Sequence, residues 1–327
     1  MIARVINNVR ISGCNNPIVA NNHVINTNLN TIVGHLGGGI CMSLQIYNTT
    51  ISNNYIENAY HGIGNANNVY NRDINIVGNT FVNIVNSALD GLNSSTDGAR
   101  GVSFTGNKIY SSGVFTVSCT NLAGGVVLPS QFKITDNYFY NTKAVFNRIN
   151  NLDIAGNSFE WTTDATSQVL TVTDCTNGRI SGNRIVGGAY GIVVNETSGN
   201  VLIISDNLLS GQVTMGIYPN TVNSIINVAG NTITNDSTAS ASYYGILLKE
   251  KSVARNNYIS LNKGHSCILA NDRSIVRGNI CRKGTATYSI YTYGGSTGVI
   301  VENNDATSAP VNNGGVNNTF SDNNTIL

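Results

Sequence analysis

Charged residues, proline and tryptophan are scarce in this chain of 327 residues. Charged residues make up 11% of it, against about 25% in a typical soluble domain, and there are 4 prolines and 1 tryptophan. The 18 Lys and Arg residues nearly balance the 17 Asp and Glu residues, so the net charge is +1. This balance argues against a strongly basic surface for nucleic acid. Long apolar runs are also missing, so we expect neither membrane insertion nor a signal peptide.

Cysteine and histidine give no sign of a metal or cofactor site. The 6 cysteines occur without any CxxC pair, and the 4 histidines show no spacing typical of metal ligands. We therefore expect no cofactor, no metal and no disulfide framework, and interpret most of the cysteines as small buried residues. The cysteines are Cys14, Cys41, Cys119, Cys175, Cys267 and Cys281.

Asparagine and glycine are abundant instead, with 53 and 34 residues respectively. Both are poor helix formers, because Asn competes for backbone hydrogen bonds and Gly costs backbone entropy. A helical bundle is therefore excluded. Disorder is not expected either, because 41% of the residues are hydrophobic and recur in short β-branched runs.

A short motif recurs along nearly the whole chain. It reads apolar, any residue, Gly/Asp/Asn, Asn, any residue, apolar, as in ISNNYI at 51, ITDNYF at 134 and ISGNRI at 180. The mean period is 25 residues, and weaker copies surround Asn22 and Asn323. A period of this size with strand-length apolar segments predicts a stacked β-solenoid. The repeated asparagines are Asn54, Asn79, Asn107, Asn137, Asn157, Asn183, Asn207, Asn231, Asn257, Asn279 and Asn304.

Each repeated asparagine falls between two apolar residues that point inward, so its amide is expected inside a sharp bend. There it can bond the backbone and the asparagine of the next coil. The preceding Gly, Asp or Asn is a type that tolerates a left-handed backbone. Asp136 and Asp206 occupy that preceding position and are predicted to be turn residues.

A second strand follows in most coils, as in YGIVV at 190, YGILL at 244 and YSIYT at 288. With about three strands per period, the chain resembles the right-handed parallel β-helix of the pectin-lyase-like superfamily. The expectation is an all-β solenoid of about 13 coils, forming a single domain over residues 1–327. Among such proteins it looks most like bacteriophage tailspikes, which cleave capsule or O-antigen.

That resemblance implies several further expectations. The partner would be a bacterial surface polysaccharide, the chain would form a homotrimer, and the protein would lie on the virion tail outside the cell. A β-helix also leaves an open sheet edge at each end, so we expect other subunits or further sequence to cover the ends.

Acidic residues recur directly after the second strands. In four of five consecutive coils this place is taken by a carboxylate, namely Asp174, Glu196, Glu250 and Asp272. One interpretation is a surface salt-bridge ladder neutralised by Lys249, Lys251 and Arg273. The other is a catalytic site, because two carboxylates about 5 Å apart force one pKa upward and suit glycoside hydrolysis. The four acids are thus the candidate catalytic residues.

Candidate substrate-binding residues lie near the same strands. Tyr190, Tyr244 and Tyr288 align at the start of the second strand, where they can stack on sugars or simply on each other. Lys249 and Arg273 lie beside the acids, and Trp161, in a loop with Glu160 and Asp164, is a further candidate for sugar stacking.

Two other functions stay open at this point. Lyases of the superfamily use calcium on an acid cluster and an Arg or Lys base, and Arg255, Arg273 and Arg277 could serve that role. A non-enzymatic adhesin that grips glycans through Asn, Thr and Tyr is the other alternative.

Overall fold

The computed structural model describes most of the chain. The described residues are 9–25, 38–43, 46–65, 71–90, 100–110, 114–118, 130–163, 166–197, 199–235, 239–307, 311–320 and 325–326. They contain strands and turns but no helix, so no described segment is a helix suited to crossing a membrane. By their contacts, the residues group into a first unit, Met1–Glu160, and a second unit, Trp161–Leu327.

The strands that begin in the first unit are short and follow one another closely. They are β1 (Val9–Ser12), β2 (Ile18–Ala20), β3 (His23–Ile25), β4 (Gly38–Ser43), β5 (Ile46–Ser52), β6 (Tyr55–Glu57), β7 (His61–Asn65), β8 (Asn71–Val77), β9 (Thr80–Val82), β10 (Ser87–Asp90), β11 (Arg100–Thr105), β12 (Lys108–Tyr110), β13 (Val114–Ser118), β14 (Ser130–Thr135), β15 (Tyr138–Tyr140), β16 (Lys143–Asn147), β17 (Asn150–Ala155) and β18 (Ser158–Trp161).

The strands of the second unit continue the same pattern. They are β19 (Gln168–Thr173), β20 (Arg179–Ser181), β21 (Arg184–Gly187), β22 (Tyr190–Asn195), β23 (Val201–Ser205), β24 (Leu208–Ser210), β25 (Met215–Pro219), β26 (Ile225–Ala229), β27 (Thr232–Asn235), β28 (Tyr244–Leu248), β29 (Val253–Arg255), β30 (Tyr258–Leu261), β31 (Ser266–Ala270), β32 (Ile275–Arg277), β33 (Ile280–Lys283), β34 (Tyr288–Thr292), β35 (Ile300–Glu302), β36 (Asp305–Thr307), β37 (Asn312–Asn313), β38 (Thr319–Phe320) and β39 (Thr325–Ile326).

Every third strand belongs to the same sheet. Sheet A contains β1, β4, β7 and so on, sheet B contains β2, β5, β8 and so on, and sheet C contains β3, β6, β9 and so on. The strand pairs within each unit are parallel, as for β11 with β14 in the first unit and β28 with β31 in the second. One strand from each sheet makes one coil, so the prediction of an all-β parallel solenoid is confirmed.

The core is made by the inward-facing middle residues of the strands. In sheet C of the first unit, Phe81, Ile109, Phe139 and Phe159 occupy one register column and are fully buried. Residues on either side of them alternate outward and stay partly exposed, as the two-residue period of a strand requires. Apolar burial of this kind, about 25 cal/mol per Å², supplies the main stabilisation.

The repeated asparagines form a buried ladder at the bend between sheets B and C, as predicted. In the second unit, the side-chain amide of Asn231 donates to the side-chain oxygen of Asn257 at 3.0 Å and to the carbonyl of Ile204 at 3.0 Å. Its own side-chain oxygen accepts the backbone N–H of Asn207 at 3.0 Å. The first unit repeats these bonds, for example from Asn107 to Asn137 at 3.1 Å.

The residue before each of the eleven asparagines from Asn54 to Asn304 has a left-handed backbone, which confirms the second part of that prediction. The φ angle is 56° at Asp136 and 57° at Asp206. Gly and Asn fill the remaining positions of this column, because they are the types that adopt this conformation at low cost. Asp136 and Asp206 are thus turn residues.

The described cysteines are free thiols. Cys41, Cys175, Cys267 and Cys281 are buried, whereas Cys14 is half-buried. Cys119 lies outside the described residues.

Candidate functional site

The acid column predicted from the sequence has the expected strand register. Thr173 pairs with Asn195, and Leu248 pairs with Ala270. Extending these registers sets Asp174 beside Glu196, and Glu250 beside Asp272. All four residues lie in the second unit, at the corner where the chain leaves sheet A for sheet B. We call this the acid corner.

Within the acid corner, Glu250 and Asp272 have different partners. The Glu250 carboxylate receives the guanidinium of Arg273 at 2.7 Å and lies 3.6 Å from the ammonium of Lys251. One carboxylate oxygen of Asp272 accepts the backbone N–H of Thr297 at 2.7 Å. The ion pair is exposed, so it contributes little stability. Lys249 is half-buried on the same turn.

Asp174 and Glu196 differ even more in their surroundings. Asp174 is partly exposed and accepts the backbone N–H of Thr197 at 2.8 Å and its hydroxyl at 2.7 Å. Glu196 is fully buried, and its carboxyl accepts the backbone N–H of Cys175 at 2.8 Å. Burial raises the pKa of Glu196 to about 7, and the negative charge of Asp174 raises this pKa further in the same direction. Glu196 can therefore hold a proton near neutral pH.

A column of buried serines supports this corner. Ser224, Ser252, Ser274 and Ser296 each close a four-residue turn, in which the serine N–H bonds the carbonyl three residues earlier. The hydroxyl of Ser224 accepts the N–H of Glu196 at 3.0 Å, and that of Ser252 accepts the N–H of Ile226 at 3.1 Å. We call these four residues the serine ladder. It was not predicted from the sequence, although serine recurs at the fourth position of the turn in four coils.

The third residue of three of these turns is left-handed. The φ angle is 62° at Lys251, 54° at Arg273 and 86° at Gly295. A turn of this kind favours Gly or Asn at the position, and a long side chain there carries strain. The acid corner therefore presents two basic side chains on strained backbone directly beside Glu250 and Asp272.

A row of aromatic side chains covers the outer face of sheet A in the second unit. Its members are half-buried, and we call them the aromatic strip: Tyr190, Tyr218, Tyr244, His265, Tyr288 and Tyr291. The rings of Tyr190 and Tyr218 stack with centroids 5.3 Å apart, and those of Tyr288 and Tyr291 stack at 5.2 Å. The ring of His265 lies 5.2 Å from both Tyr244 and Tyr288.

The predicted tyrosine column is thus part of a larger strip. Tyr190, Tyr244 and Tyr288 occupy one register column, with Met215 and Ser266 between them. Tyr218, Tyr291 and His265 were not foreseen, because they lie outside that column. Burial lowers the pKa of His265, so its ring is neutral at neutral pH.

Amide side chains extend the strip toward the acid corner. The hydroxyl of Tyr218 donates to Asn220 at 2.7 Å, Asn220 donates to Asn195 at 3.0 Å, and Asn195 donates to the hydroxyl of Thr173 at 3.3 Å. These exposed or half-buried groups provide ordered donors and acceptors between the aromatic rings and the carboxylates.

The remaining candidates have other partners or lie outside the described residues. Trp161 ends strand β18 rather than lying in a loop, and it is only 9% exposed, so it offers little ring surface to a ligand. Glu160 accepts the hydroxyl of Tyr138 at 2.9 Å in the first unit. Asp164 lies outside the described residues. Arg277, considered for a lyase, forms an ion pair with Glu302.

The described residues contain no group of three or more His, Cys, Asp or Glu side chains positioned to hold a metal ion. No protein-family model matches the chain, and neither a curated protein nor a solved structure matches it. The class defined by the fold is the parallel β-solenoid, and the site joins an aromatic strip to an acid corner.

Proposed function

We propose that this protein is a tailspike-type β-helix domain of a bacteriophage that binds a bacterial surface polysaccharide. The observation that carries the proposal is the aromatic strip, which runs over several consecutive coils of sheet A in the second unit. Coils in such a stack repeat about every 4.8 Å, so the strip offers ring faces along an extended chain of sugars. Resemblance to pectin-lyase-like β-helices supports the same assignment.

The chemistry of the strip suits sugars that carry little charge. Half-buried tyrosine rings offer flat apolar faces with a polar edge, and the amides of Asn195 and Asn220 offer donors and acceptors for hydroxyl groups. The neutral ring of His265 adds no charge. At the acid corner, Lys251 and Arg273 form ion pairs with Glu250.

A binding measurement tests this proposal. Capsule and O-antigen purified from bacteria that the phage infects should retard the protein in affinity electrophoresis. The double variant Tyr218→Ala/Tyr244→Ala removes two ring faces and should weaken retardation at least about tenfold. The matched control is Tyr258→Ala, an exposed tyrosine on sheet C of the same unit. Unchanged binding by the double variant would reject the strip as the site.

Hydrolysis of the bound polysaccharide is a second candidate function, favoured by the acid corner beside the strip. Glu250 and Asp272 are the proposed acid and base, with Asp174 and Glu196 as the alternative pair. Glu196 meets one requirement of a general acid, because burial raises its pKa to about 7 and a substantial fraction of it is protonated at neutral pH. It would need a local opening to reach substrate, since it is fully buried.

The activity assay separates hydrolase, lyase and binder. New reducing ends without the ultraviolet absorbance of unsaturated sugars indicate a hydrolase. New reducing ends with that absorbance indicate a lyase. If neither signal is seen, the protein binds the polysaccharide without cleaving it. Glu250→Gln and Asp272→Asn should lower turnover at least about 10²-fold while retaining binding. If only Asp174→Asn and Glu196→Gln abolish turnover, the earlier pair is catalytic.

The proposal includes side-by-side association as a homotrimer on the virion tail. A mostly apolar column on the outer face of sheet B in the second unit, interrupted by Asn227, supports a second copy as its occupant. Ile203 is 45% exposed there, and Val253, Ile275 and Ile300 share its column as half-buried residues. Analytical ultracentrifugation tests this, and a monomer at micromolar concentration would reject it. Ile203→Asp should dissociate the trimer.

A further inference from the structure

A separate set of tyrosines lies on the outer face of sheet C in the first unit. Tyr110, Tyr138 and Tyr140 are half-buried on the neighbouring strands β12 and β15. The rings of Tyr110 and Tyr138 meet edge to face with centroids 5.7 Å apart, and those of Tyr138 and Tyr140 lie nearly parallel at 6.5 Å. With Glu160 on β18, we call these residues the tyrosine cluster.

The core does not require these rings. The middle residues of the same strands, Ile109, Phe139 and Phe159, point inward and are completely buried. The tyrosines occupy the two outward columns on either side of them. Three large aromatic residues grouped on an outward face therefore form a surface whose packing against the fold is incomplete.

Polar groups surround the rings in a fixed arrangement. The Tyr138 hydroxyl donates to the carboxylate of Glu160 at 2.9 Å, which orients that carboxylate over the cluster. Burial, followed by this hydrogen bond and the charge of Glu160, raises the pKa of Tyr138, so its hydroxyl stays protonated. Lys108 is exposed and stands next to Tyr138 in the same register column. The surface thus combines apolar rings, an acceptor and a cationic donor.

We propose that the tyrosine cluster is a second carbohydrate-binding site, which takes a single neutral sugar residue of a glycan. A pyranose has an apolar C–H face that can lie on a tyrosine ring, and hydroxyl groups around its rim. Those hydroxyls can donate to Glu160 and accept from Lys108. A cationic ligand fits less well, because Lys108 already supplies a positive charge beside Tyr138. This site belongs to the first unit and does not rest on the function proposed for the second.

The test uses the full chain on an array of immobilised neutral oligosaccharides built from glucose, galactose, mannose and N-acetylglucosamine. The variant Tyr218→Ala/Tyr244→Ala removes the contribution of the aromatic strip, and adding Tyr138→Ala to it should reduce the remaining signals at least about tenfold. Tyr138→Phe keeps the ring but releases Glu160, so it should weaken binding less. Circular dichroism checks the fold of each variant, and Tyr110→Ala replaces Tyr138→Ala if the latter does not fold.

Tyr55 provides a matched control within the same sheet. It shares the outward column of Tyr138, and its hydroxyl likewise bonds a carboxylate, that of Glu57, at 3.1 Å. Its ring, however, contacts His23 rather than other tyrosines. Tyr55→Ala should therefore leave the array signals unchanged. The proposal is overturned if the strip variant gives no signal on the array, or if adding Tyr138→Ala to the strip variant leaves its signal unchanged. Both outcomes leave the function proposed for the strip intact.

Discussion

The strands of sheet B start differently in the two units. In the first unit a left-handed residue lies inside five successive strands of this sheet, at Asn48, Asp73, Gly101, Gln131 and Asn151. In the second unit the left-handed residues Lys251 and Arg273, which likewise stand six positions before a ladder asparagine, lie ahead of the strand in a turn closed by a buried serine. The same backbone conformation is thus part of a strand in one unit and of a turn in the other, and this turn carries Glu250 and Asp272.

The outer face of sheet B differs in the same way. In the first unit one outward column reads Thr50, Asn75, Ser103, Lys133 and Asp153. In the second unit the corresponding outward column reads Arg179, Ile203, Asn227, Val253, Ile275 and Ile300. The two units therefore share one backbone plan, but this column is wholly polar in the first unit and mostly apolar in the second.

The largest expected effect concerns what the units share. Asn107→Ala in the first unit and Asn231→Ala in the second each leave buried partners without hydrogen bonds, at a cost of about 2–4 kcal/mol. Urea unfolding followed by circular dichroism should give similar losses for both. Asn75→Ala on the outer face is the control, with a change below about 0.5 kcal/mol. A loss in only one unit would show that the ladders are not equivalent.

The next effect is specific to the second unit. The folded state holds the pKa of Glu196 near 7 against 4.5 for a free side chain, so it binds a proton more tightly than the unfolded state. The free energy of unfolding therefore falls as the pH rises from 4.5 to about 7. The loss is on the order of 2 kcal/mol. Glu196→Gln should remove this loss and exceed the wild type in melting temperature at pH 8, but not at pH 4.

The matched comparison for that experiment lies in the first unit. Asp73 is an exposed carboxylate at the left-handed position of β8, and Asp73→Asn serves as the control for removing one carboxylate from the surface. If Glu196→Gln follows the wild-type curve, the buried carboxyl does not contribute to it.

A smaller effect tests the serine ladder, for which we describe no counterpart in the first unit. Ser252→Ala removes the acceptor of the Ile226 N–H in the interior, which should cost about 1 kcal/mol. Ser205→Ala, on the half-buried outer face of sheet B, serves as the control. Equal urea midpoints for the two variants would mean that the hydroxyl of Ser252 does not support the corner.

The smallest effect concerns left-handed residues in both units. Lys251→Gly and Gln131→Gly relieve strained backbone with φ angles of 62° and 61°, although glycine also gains freedom in the unfolded chain. We expect a net stabilisation of about 0.5 kcal/mol at each position. Differential scanning calorimetry detects it as a rise in melting temperature. A fall at Lys251 alone would indicate that its side chain stabilises the turn.

The sequence predicted the asparagine ladder down to individual bonds, because one residue type must recur where a buried bend needs donor and acceptor together. The register of the acid corner was also predictable, since strand period and pairing determine it. The burial and the partners of the individual acids were not predictable. Glu196 is buried and Glu250 is exposed in an ion pair, and this depends on the path of each turn, which residue spacing does not encode.

The aromatic strip was predictable only in part, for a related reason. Tyr190 and Tyr244 share a register column, so alignment finds them. His265 joins the strip from the residue before its strand, next to the small Ser266. Trp161 was predicted to be a sugar-stacking residue, but its ring is buried. That it is the only tryptophan does not determine whether its ring reaches the surface.

The asparagine ladder has a consequence for how such a chain can change in evolution. Sequence separations between bonded asparagines range from 20 to 32 residues, yet the amide bonds stay between 2.9 and 3.1 Å. Insertions and deletions are therefore accommodated at the other corners, while the bend between sheets B and C keeps its geometry. New loops can be acquired at those other corners without altering the stack, so the surface loops can diversify on an unchanged scaffold.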